Sequence, residues 1–332
     1  MPVLKPCESA TTFVSTAVPI SFIHDKSKLV TLLEGEQVQL AELSFDELLQ
    51  LQCEQEPAFA RRIAGTKKAS PERAAAIRHA YETVCAILDQ MSQRKVAGQT
   101  LSMGMDVRYK RFVLDLLAGQ RSRGIDGGVF ELGFGSGIFL QAASDAGHRV
   151  GGLEVSSPLF EETKSKLPVS SHSNLWLGNF CSIDFGSQRE SYSLAYWNDV
   201  FEHIPVDEIG DYLRALYGLL KPGGKLITIT PNWHMRPSDV TALFQPRRTE
   251  AIGFHLKEYT LREVRQLLLE AGFTSVRTPL FISPNRFYYS SFCDVTQLKS
   301  ILEPLLEYLP IQVAIQMCRR FGLNCTVATK GS

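Results

Sequence analysis

The 332-residue chain predicts an α/β fold, a mostly parallel seven-stranded sheet with helices on both faces, preceded by an N-terminal helical region. Three observations carry this reading. From Gly128 onward, short apolar runs alternate with segments of helical periodicity, the pattern that builds parallel sheets. The first run, 129–133, leads into Gly133-Phe-Gly-Ser-Gly137, a glycine-rich turn opening a helix. Further along, Pro222-Gly223-Gly224 reads as a turn that delivers the chain into the strand-like run Lys225–Thr230.

Residues 1–27 show little periodicity and read as an extended arm. Ser44-Phe-Asp-Glu47 is a capping box that opens a helix carrying Leu48, Leu49 and Leu51. Ser70-Pro71 supplies an N-cap and a first-turn proline for a second helix. In it Ile77, Tyr81, Val84, Leu88 and Met91 recur at helical spacing and predict a packing face. Residues 1–105 are therefore expected to form a lid or dimerisation element beside a main domain over 106–332. Within that domain the strands are expected at 129–133, 149–154, 174–178, 193–197, 225–230, 274–281 and 324–329. Helices are expected at about 137–146, 156–166, 206–220 and 261–271, the last opened by Thr260-Leu-Arg-Glu263 and closed by Ala271-Gly272. An insertion at 282–321 carries Ile301, Leu302, Leu305, Leu306 and Leu309, expected to pack onto the domain rather than onto a membrane or a second copy.

Lys+Arg and Asp+Glu balance at 35 each, which removes the basic footprint a nucleic-acid binder needs. The seven cysteines form no C-x-x-C pair and read as reduced thiols. No signal peptide is apparent, and no apolar run approaches the roughly 18–20 residues of a membrane span, so a soluble cytoplasmic protein is expected.

The glycine loop narrows the ligand. Glu131, Gly133, Gly135 and Gly137 give E-x-G-x-G-x-G, in which the backbone turns tightly and helix-terminal N–H groups face whatever lies above the strand ends. A dinucleotide fingerprint needs a small residue three positions after its second glycine, and here that position is Ile138. The spacing leans away from NAD or FAD and towards S-adenosylmethionine (SAM).

Over roughly 106–330 the chain resembles the class I SAM-dependent methyltransferase superfamily, with its Rossmann-like sheet. The resemblance is carried by the glycine loop and by His148-Arg-Val-Gly-Gly-Leu-Glu154, a second strand ending in an acid. Gly178-Asn179-Phe180, Trp197-Asn198-Asp199 and the turn Leu219-Leu-Lys-Pro-Gly-Gly224 follow in the family's order. It implies SAM contacts from Glu131, Gly133, Gly135, Gly137, Glu154, Asn179, Phe180 and Asn198. Glu154 would accept the ribose hydroxyl protons, Asn179 would meet the adenine amine and Phe180 would pack on the ring.

Asp199-Val-Phe-Glu202-His203 brings two carboxylates and an imidazole to the end of a strand, where open α/β sheets bind ligands. With His255 in Gly253-Phe-His-Leu-Lys-Glu-Tyr-Thr260, it resembles two methyltransferase groups: the ubiquinone-pathway O-methyltransferases and the enzymes that 2′-O-methylate small-RNA 3′ ends. The second group implies a divalent metal, Mg²⁺, Mn²⁺, Fe²⁺ or Zn²⁺, on Asp199, Glu202, His203 and His255. Asp199 stands where both groups commonly carry a glutamate, one methylene longer. The metal-free alternative makes His203, with Asp199, a catalytic general base of pKa near working pH.

For the acceptor, Trp233, His234, Met235, Phe244, Phe281, Phe287, Tyr288 and Tyr289 suggest an aromatic lining suited to a partly apolar small molecule. Arg236, Arg247, Arg248 and Arg286 would meet an anionic group or stay solvated. The expected activity is methyl transfer to a hydroxyl oxygen of a small molecule, plausibly in specialised metabolism. N- or carboxyl-methylation is the alternative. RNA 2′-O-methylation and a SAM-binding scaffold without turnover stand further off, and a homodimer remains open.

Overall fold

The structure, a computed structural model, describes residues 29–94, 107–283, 286–289 and 294–332. The predicted arm over 1–27 and the boundary at 105/106 lie outside these residues. Two long helices come first, α1 (Phe45–Ala64) and α2 (Pro71–Gln93). Both start where the sequence places them. Ser44 accepts the Glu47 N–H while Glu47 accepts that of Ser44, and Ser70 accepts the Arg73 N–H with Pro71 in the first turn. They pack antiparallel through Phe59, Ile63, Ala76, Ile77 and Ala80.

The main domain follows with α3 (Val107–Ser122), β1 (Val129–Leu132), α4 (Ile138–Asp145), β2 (Val150–Glu154), α5 (Ser157–Lys166) and β3 (Leu175–Leu177). Then come β4 (Tyr192–Asn198), α6 (Ile209–Leu219), β5 (Leu220–Ile229), α7 (Leu261–Glu270), β6 (Ser275–Arg277), α8 (Thr296–Leu302), α9 (Ile311–Phe321) and β7 (Cys325–Thr329). The sheet order is β3-β2-β1-β4-β5-β7-β6, parallel except for β7, which runs antiparallel to both β5 and β6. The central strands β1 and β4 are buried on both faces, so they read as continuous apolar runs rather than alternating ones. Two hydrophobic clusters cover the faces, one around Phe130, Trp197 and Leu213 and the other around Phe112, Phe139 and Ile227.

Two expectations are corrected. The predicted strand at 274–281 is split: 275–277 joins the sheet, and Leu280–Ser283 pairs with Arg286–Tyr288 in a separate hairpin. Thr278 and Pro279 interrupt it, Pro279 lacking the N–H a ladder needs. Pro222-Gly223-Gly224 does not precede its strand but bulges within β5. Tyr192 pairs with Leu220 and Leu194 with Lys225, so four residues loop out opposite one.

The insertion is clamped by two glutamates. Glu303, almost fully buried, accepts from Asn232 Nδ2 and from the Leu261 N–H at the start of α7, both at 2.7 Å. Glu307 holds His234, Arg236 and Arg248 together. Leu306, Ala314 and Cys318 pack inward, whereas Ile301 and Leu305 remain 64% and 59% exposed, so the expected packing holds for one side of the segment only.

α2 is fastened to the domain by charge. Arg73, 4% exposed, donates to Asp207 at 2.7 Å and to Glu208 at 3.0 Å just before α6, and Glu208 also accepts the Ala69 N–H. Removing Arg73 strands a buried carboxylate. Arg73→Ala should cost about 3 kcal/mol in urea unfolding, and loss of less than about 1 kcal/mol would deny the anchor. The arginines beside Glu307, Arg236 foremost, depress its carboxyl from 4.5 to about 2. Its folded pKa lies below its unfolded one, so this stabilisation is present above pH 4.5 and is lost as pH falls towards 2. Glu307→Gln should therefore lower the melting temperature at pH 6 and narrow its fall between pH 6 and pH 3, read by thermal denaturation across that range.

Candidate active site

A cavity of about 530 Å³ opens at the carboxyl ends of β1, β2 and β4, roofed by α1 and α2. Local backbone chemistry shapes its floor. Gly133, Gly135 and Gly137 all adopt left-handed φ, at 70°, 51° and 72°. A Cβ on Gly137 would stand 2.4 Å from the Thr163 side chain, and one on Gly133 would stand 2.6 Å from Val200. A Cβ on Gly135 would meet nothing within 4 Å. Two of the glycines thus serve close packing, and Gly135 brings bare backbone to the cavity.

Glu131 and Glu154 flank this loop, both buried and both lining the cavity. Glu131 Oε2 has no partner among the described residues, and burial pushes its carboxyl well above the usual range, Glu154's charge adding to the effect. Glu154 Oε2 accepts the Gly135 N–H at 2.9 Å, and Oε1 accepts those of Val155 and Ser156 at 2.7 and 3.0 Å. Burial raises its pKa against these three bonds. Phe180 lines the cavity against Tyr212. Asn179 does not line it; its Oδ1 accepts the Cys181 N–H at 2.9 Å as the cap of a short turn. Asn198 lines it with a buried, unpartnered Oδ1, while its Nδ2 donates to Asp199 at 2.9 Å.

Beyond the end of β4 the chain turns sharply. Asp199 takes φ 51°, rare for a residue with a side chain, and the 3₁₀ turn Phe201–His203 follows. Glu202 is fully buried. Its backbone carbonyl accepts the N–H groups of Leu256 and Lys257, which draws the 254–258 segment against the turn. Neither carboxyl oxygen has a well-aligned hydrogen-bond partner among the described residues, although the Thr230 hydroxyl and the Glu202 N–H stand close enough to hold its pKa down somewhat. His203 Nδ1 donates to the Phe254 carbonyl at 2.8 Å, and His255 Nδ1 to Glu258 Oε1 at 2.9 Å. The imidazoles meet edge to face, centroids 4.9 Å apart, and His255 Nε2 lies 4.0 Å from Glu202 Oε1.

Burial and the Asp199 charge push the Glu202 carboxyl up to about 8. Burial, the neighbouring His255 and little else push His203 down to about 3, far from the working pH the base expectation assumed. Burial would lower His255 too, but the Glu258 bond and the charges of Glu202, Glu258 and Asp239 carry it up to about 9.

Of the four predicted metal ligands, three converge: Glu202, His203 and His255 each offer an atom within 4.8 Å of the others. Asp199, exposed at the head of the turn, lies outside that cluster but on the same cavity wall. The predicted aromatic lining is corrected. None of Trp233, His234, Met235, Phe244, Phe281, Phe287, Tyr288 or Tyr289 lines the cavity. Phe281, Phe287 and Tyr289 pack on Phe112 instead, and Trp233 stacks under Arg236. Of the arginines expected to meet an anion or stay solvated, Arg286 is exposed, whereas Arg236 pairs with Glu307, Arg248 with the Leu306 and Leu309 carbonyls and Arg247 with the Pro237 carbonyl.

The rings that do line the cavity are Phe134, Phe139, Phe180, Tyr81, Tyr196, Tyr212 and Phe254, joined by Gln52, Glu56 and Asp239. Tyr81 belongs to the helical stripe read as packing, and nothing in sequence separates a stripe that packs from one that roofs a cavity. Glu258, by contrast, was visible in its three-residue spacing from His255.

A family model described as "Methyltransferase domain" matches residues 78–278, well over half the chain. The chain belongs to this family. It is a class I SAM-dependent methyltransferase. No curated protein matches the chain. Among solved structures, magnesium protoporphyrin IX methyltransferase from Synechocystis with bound S-adenosylhomocysteine is similar at 19% identity, covering 64% of this chain and 95% of that one, with a TM-score of 0.43. A SAM-dependent methyltransferase from Mesorhizobium loti has 17% identity, 65% and 100% coverage and a TM-score of 0.39. A geranyl diphosphate methyltransferase in complex with GPP and sinefungin has 14% identity, 74% and 82% coverage and a TM-score of 0.42. Among the described residues no helix of this methyltransferase is long and apolar enough to cross a membrane.

The glycine geometry gives a direct test. Gly135→Ala should lose about 1–2 kcal/mol of stability, the cost of a left-handed alanine. Gly137→Ala adds a collision with Thr163 and should lose at least about 1 kcal/mol more. Equal losses in urea unfolding would contradict the assignment of Gly137 to packing.

Proposed function

We propose that this methyltransferase transfers the SAM methyl to a hydroxyl oxygen of a small molecule, with a divalent metal held by Glu202, His203 and His255. The observation that carries the reading is the buried Glu202 carboxyl, neither of whose oxygens has a well-aligned hydrogen-bond partner among the described residues, beside two imidazoles tied by Nδ1. A buried carboxylate without a hydrogen bond is costly unless something compensates it. His203, tied by its Nδ1–H to the Phe254 carbonyl, presents a free Nε2 lone pair, while His255, tied by Nδ1–H to Glu258, would release its Nε2 proton to an ion, as metal binding to a protonated histidine requires. Three ligands leave positions open for the acceptor's oxygens.

When bound, such an ion lowers the pKa of a coordinated hydroxyl and fixes its position. The protein's own part is alignment. SAM fits the floor: Gly135 leaves space for close approach, Glu154 keeps one acceptor site for a ribose hydroxyl, and Glu131 and Asn198 offer unpartnered oxygens to the cofactor's donors. Phe180 and Tyr212 form an apolar wall for the adenine. Asn179, committed to its turn, is left out of this assignment. Asp199, on the same wall and open to solvent, takes the hydroxyl proton as the oxygen attacks the methyl carbon in line with the breaking C–S bond. The helices α1 and α2 act as the lid, since Gln52 and Glu56 of α1 and Tyr81 of α2 line the cavity, the Tyr81 ring 6.1 Å from that of His203.

Purified protein reconstituted with Mg²⁺, Mn²⁺, Fe²⁺ or Zn²⁺ should carry about one ion per chain by elemental analysis. His203→Ala and His255→Ala should each lower metal affinity by about 10–100-fold or more and abolish methylation of vicinal-oxygen acceptors such as catechols. Both variants should retain S-adenosylhomocysteine binding. Full SAM binding with no ion retained under any of the four metals would sink the ligand set and redirect the search to amine and carboxylate acceptors.

A further inference from the structure

Carboxyl groups dominate the cavity wall. Glu56, Glu131, Glu154, Asp199 and Asp239 line it, no lysine or arginine does so among the described residues, and the basic groups there are the rings of His203 and His255, the latter carried up to about 9 by its acidic neighbours. Glu131 and Glu154 belong to the cofactor floor. Glu56 and Asp239 lie at the other end, where α1 meets the 238–255 segment.

The geometry of that end is specific. Gln52 Nε2 donates to Glu56 Oε1 at 2.6 Å, which fixes the amide's orientation. Gln52 Oε1 is left buried and without a partner among the described residues, in a side chain only 7% exposed that lines the cavity. Glu56, 4% exposed, accepts the Phe254 N–H at 3.2 Å. Asp239 accepts the Thr241 N–H at 3.0 Å and faces the His255 N–H at 3.4 Å. Two aromatic rings, Tyr81 and Phe254, stand 5.0 Å apart beside them. An orphaned carbonyl oxygen, two carboxyl groups and aromatic faces offer acceptors; burial pushes Glu56 up to about 7, and a cation placed beside it would draw it into the charged form. A cationic donor matches these acceptors and the ring faces, whereas a phosphate or carboxylate would leave the Gln52 oxygen unpaired and stand against Glu56 and Asp239.

We propose that Gln52, Glu56 and Asp239 form a subsite for an ammonium group, so that the acceptor is an apolar molecule bearing an amine remote from the methylated atom, and anionic acceptors are rejected. This rests on the reading above that SAM occupies the floor of the cavity beneath α1 and α2, which leaves the end at Gln52, Glu56 and Asp239 to the acceptor. It does not depend on which atom is methylated or on the metal.

Three probes sharing one apolar body separate the charge term: 4-phenylbutylamine, 4-phenylbutanol and 4-phenylbutyrate. Their binding to the full chain is measured by calorimetry, with and without saturating S-adenosylhomocysteine. The amine should bind about tenfold or more tighter than the alcohol, the gain of a charge-assisted hydrogen bond, and the butyrate weakest of the three. Glu56→Gln should erase most of that advantage while moving the alcohol less than about twofold, with S-adenosylhomocysteine affinity reporting that the variant is folded. Asp239→Asn provides the same comparison from the other element should Glu56→Gln fail to fold. Butyrate binding as tightly as the amine, absence of binding by all three, or an amine preference untouched by both variants would overturn the proposal. Loss of S-adenosylhomocysteine binding in the unsubstituted chain would overturn the cofactor assignment instead, and the amine-to-butyrate comparison on the free chain would still decide this one.

Discussion

A carboxylate buried at the end of a parallel strand organises the catalytic face of this methyltransferase. Glu202 leaves the sheet in a turn so tight that Asp199 adopts a left-handed backbone, and its carboxyl is fully buried with no well-aligned hydrogen-bond partner among the described residues. Its carbonyl draws in the backbone of Leu256 and Lys257. That contact brings Phe254 to His203, His255 to Glu202 and, one layer out, Glu56 of α1 to the Phe254 N–H. The helix α1, the histidines and the sheet are thus connected through one short segment, 254–258. A change at Glu202 would reach all three, because buried polar groups linked in this way share their compensation.

Charge divides the molecule between fastening and recognition. Outside the cavity, opposite charges are paired at structural joints: Arg73 with Asp207 and Glu208 under α2, and Glu307 with Arg236 and Arg248 under the insertion. Inside it, carboxyl groups and two imidazoles line the wall, and no lysine or arginine does so among the described residues. The neutral total of the sequence conceals this separation, since summed charge carries no information about where each sign gathers. Cofactor, metal and acceptor would each bring positive charge to a field already arranged to receive it.

The elements with local signatures were legible. Capping boxes at Ser44 and Thr260, the proline after Ser70 and the left-handed glycine at Gly137 are decided by the backbone groups of a few neighbouring residues, and each element begins within a residue or so of its expected place. Elements whose limits depend on partners were not. The extra residues around Gly223 are a bulge because β4 offers one residue opposite four, which no property of Pro-Gly-Gly discloses. Aromatics past residue 280 are core filler because Phe112 is there to receive them. Of the proposed site, the glycine loop, the strand-end acid and the Asp-x-x-Glu-His turn with its distal histidine were visible as patterns.

By itself the sequence determined the order of strands and helices, the family to which the chain belongs and the residues able to ligate, because each follows from local periodicity and short spacing. Only the tertiary structure decided which of those residues meet. It brought Glu202, His203 and His255 together across some fifty positions and left Asp199 at the rim. It turned Asn179 to its own backbone and the arginines to the insertion, and carried Gln52, Glu56 and Tyr81 over the cavity from nearly two hundred residues before His255. The reason is physical: burial, orientation and the loss of solvent around a polar group are properties of packing between distant segments, and no window along the chain contains them.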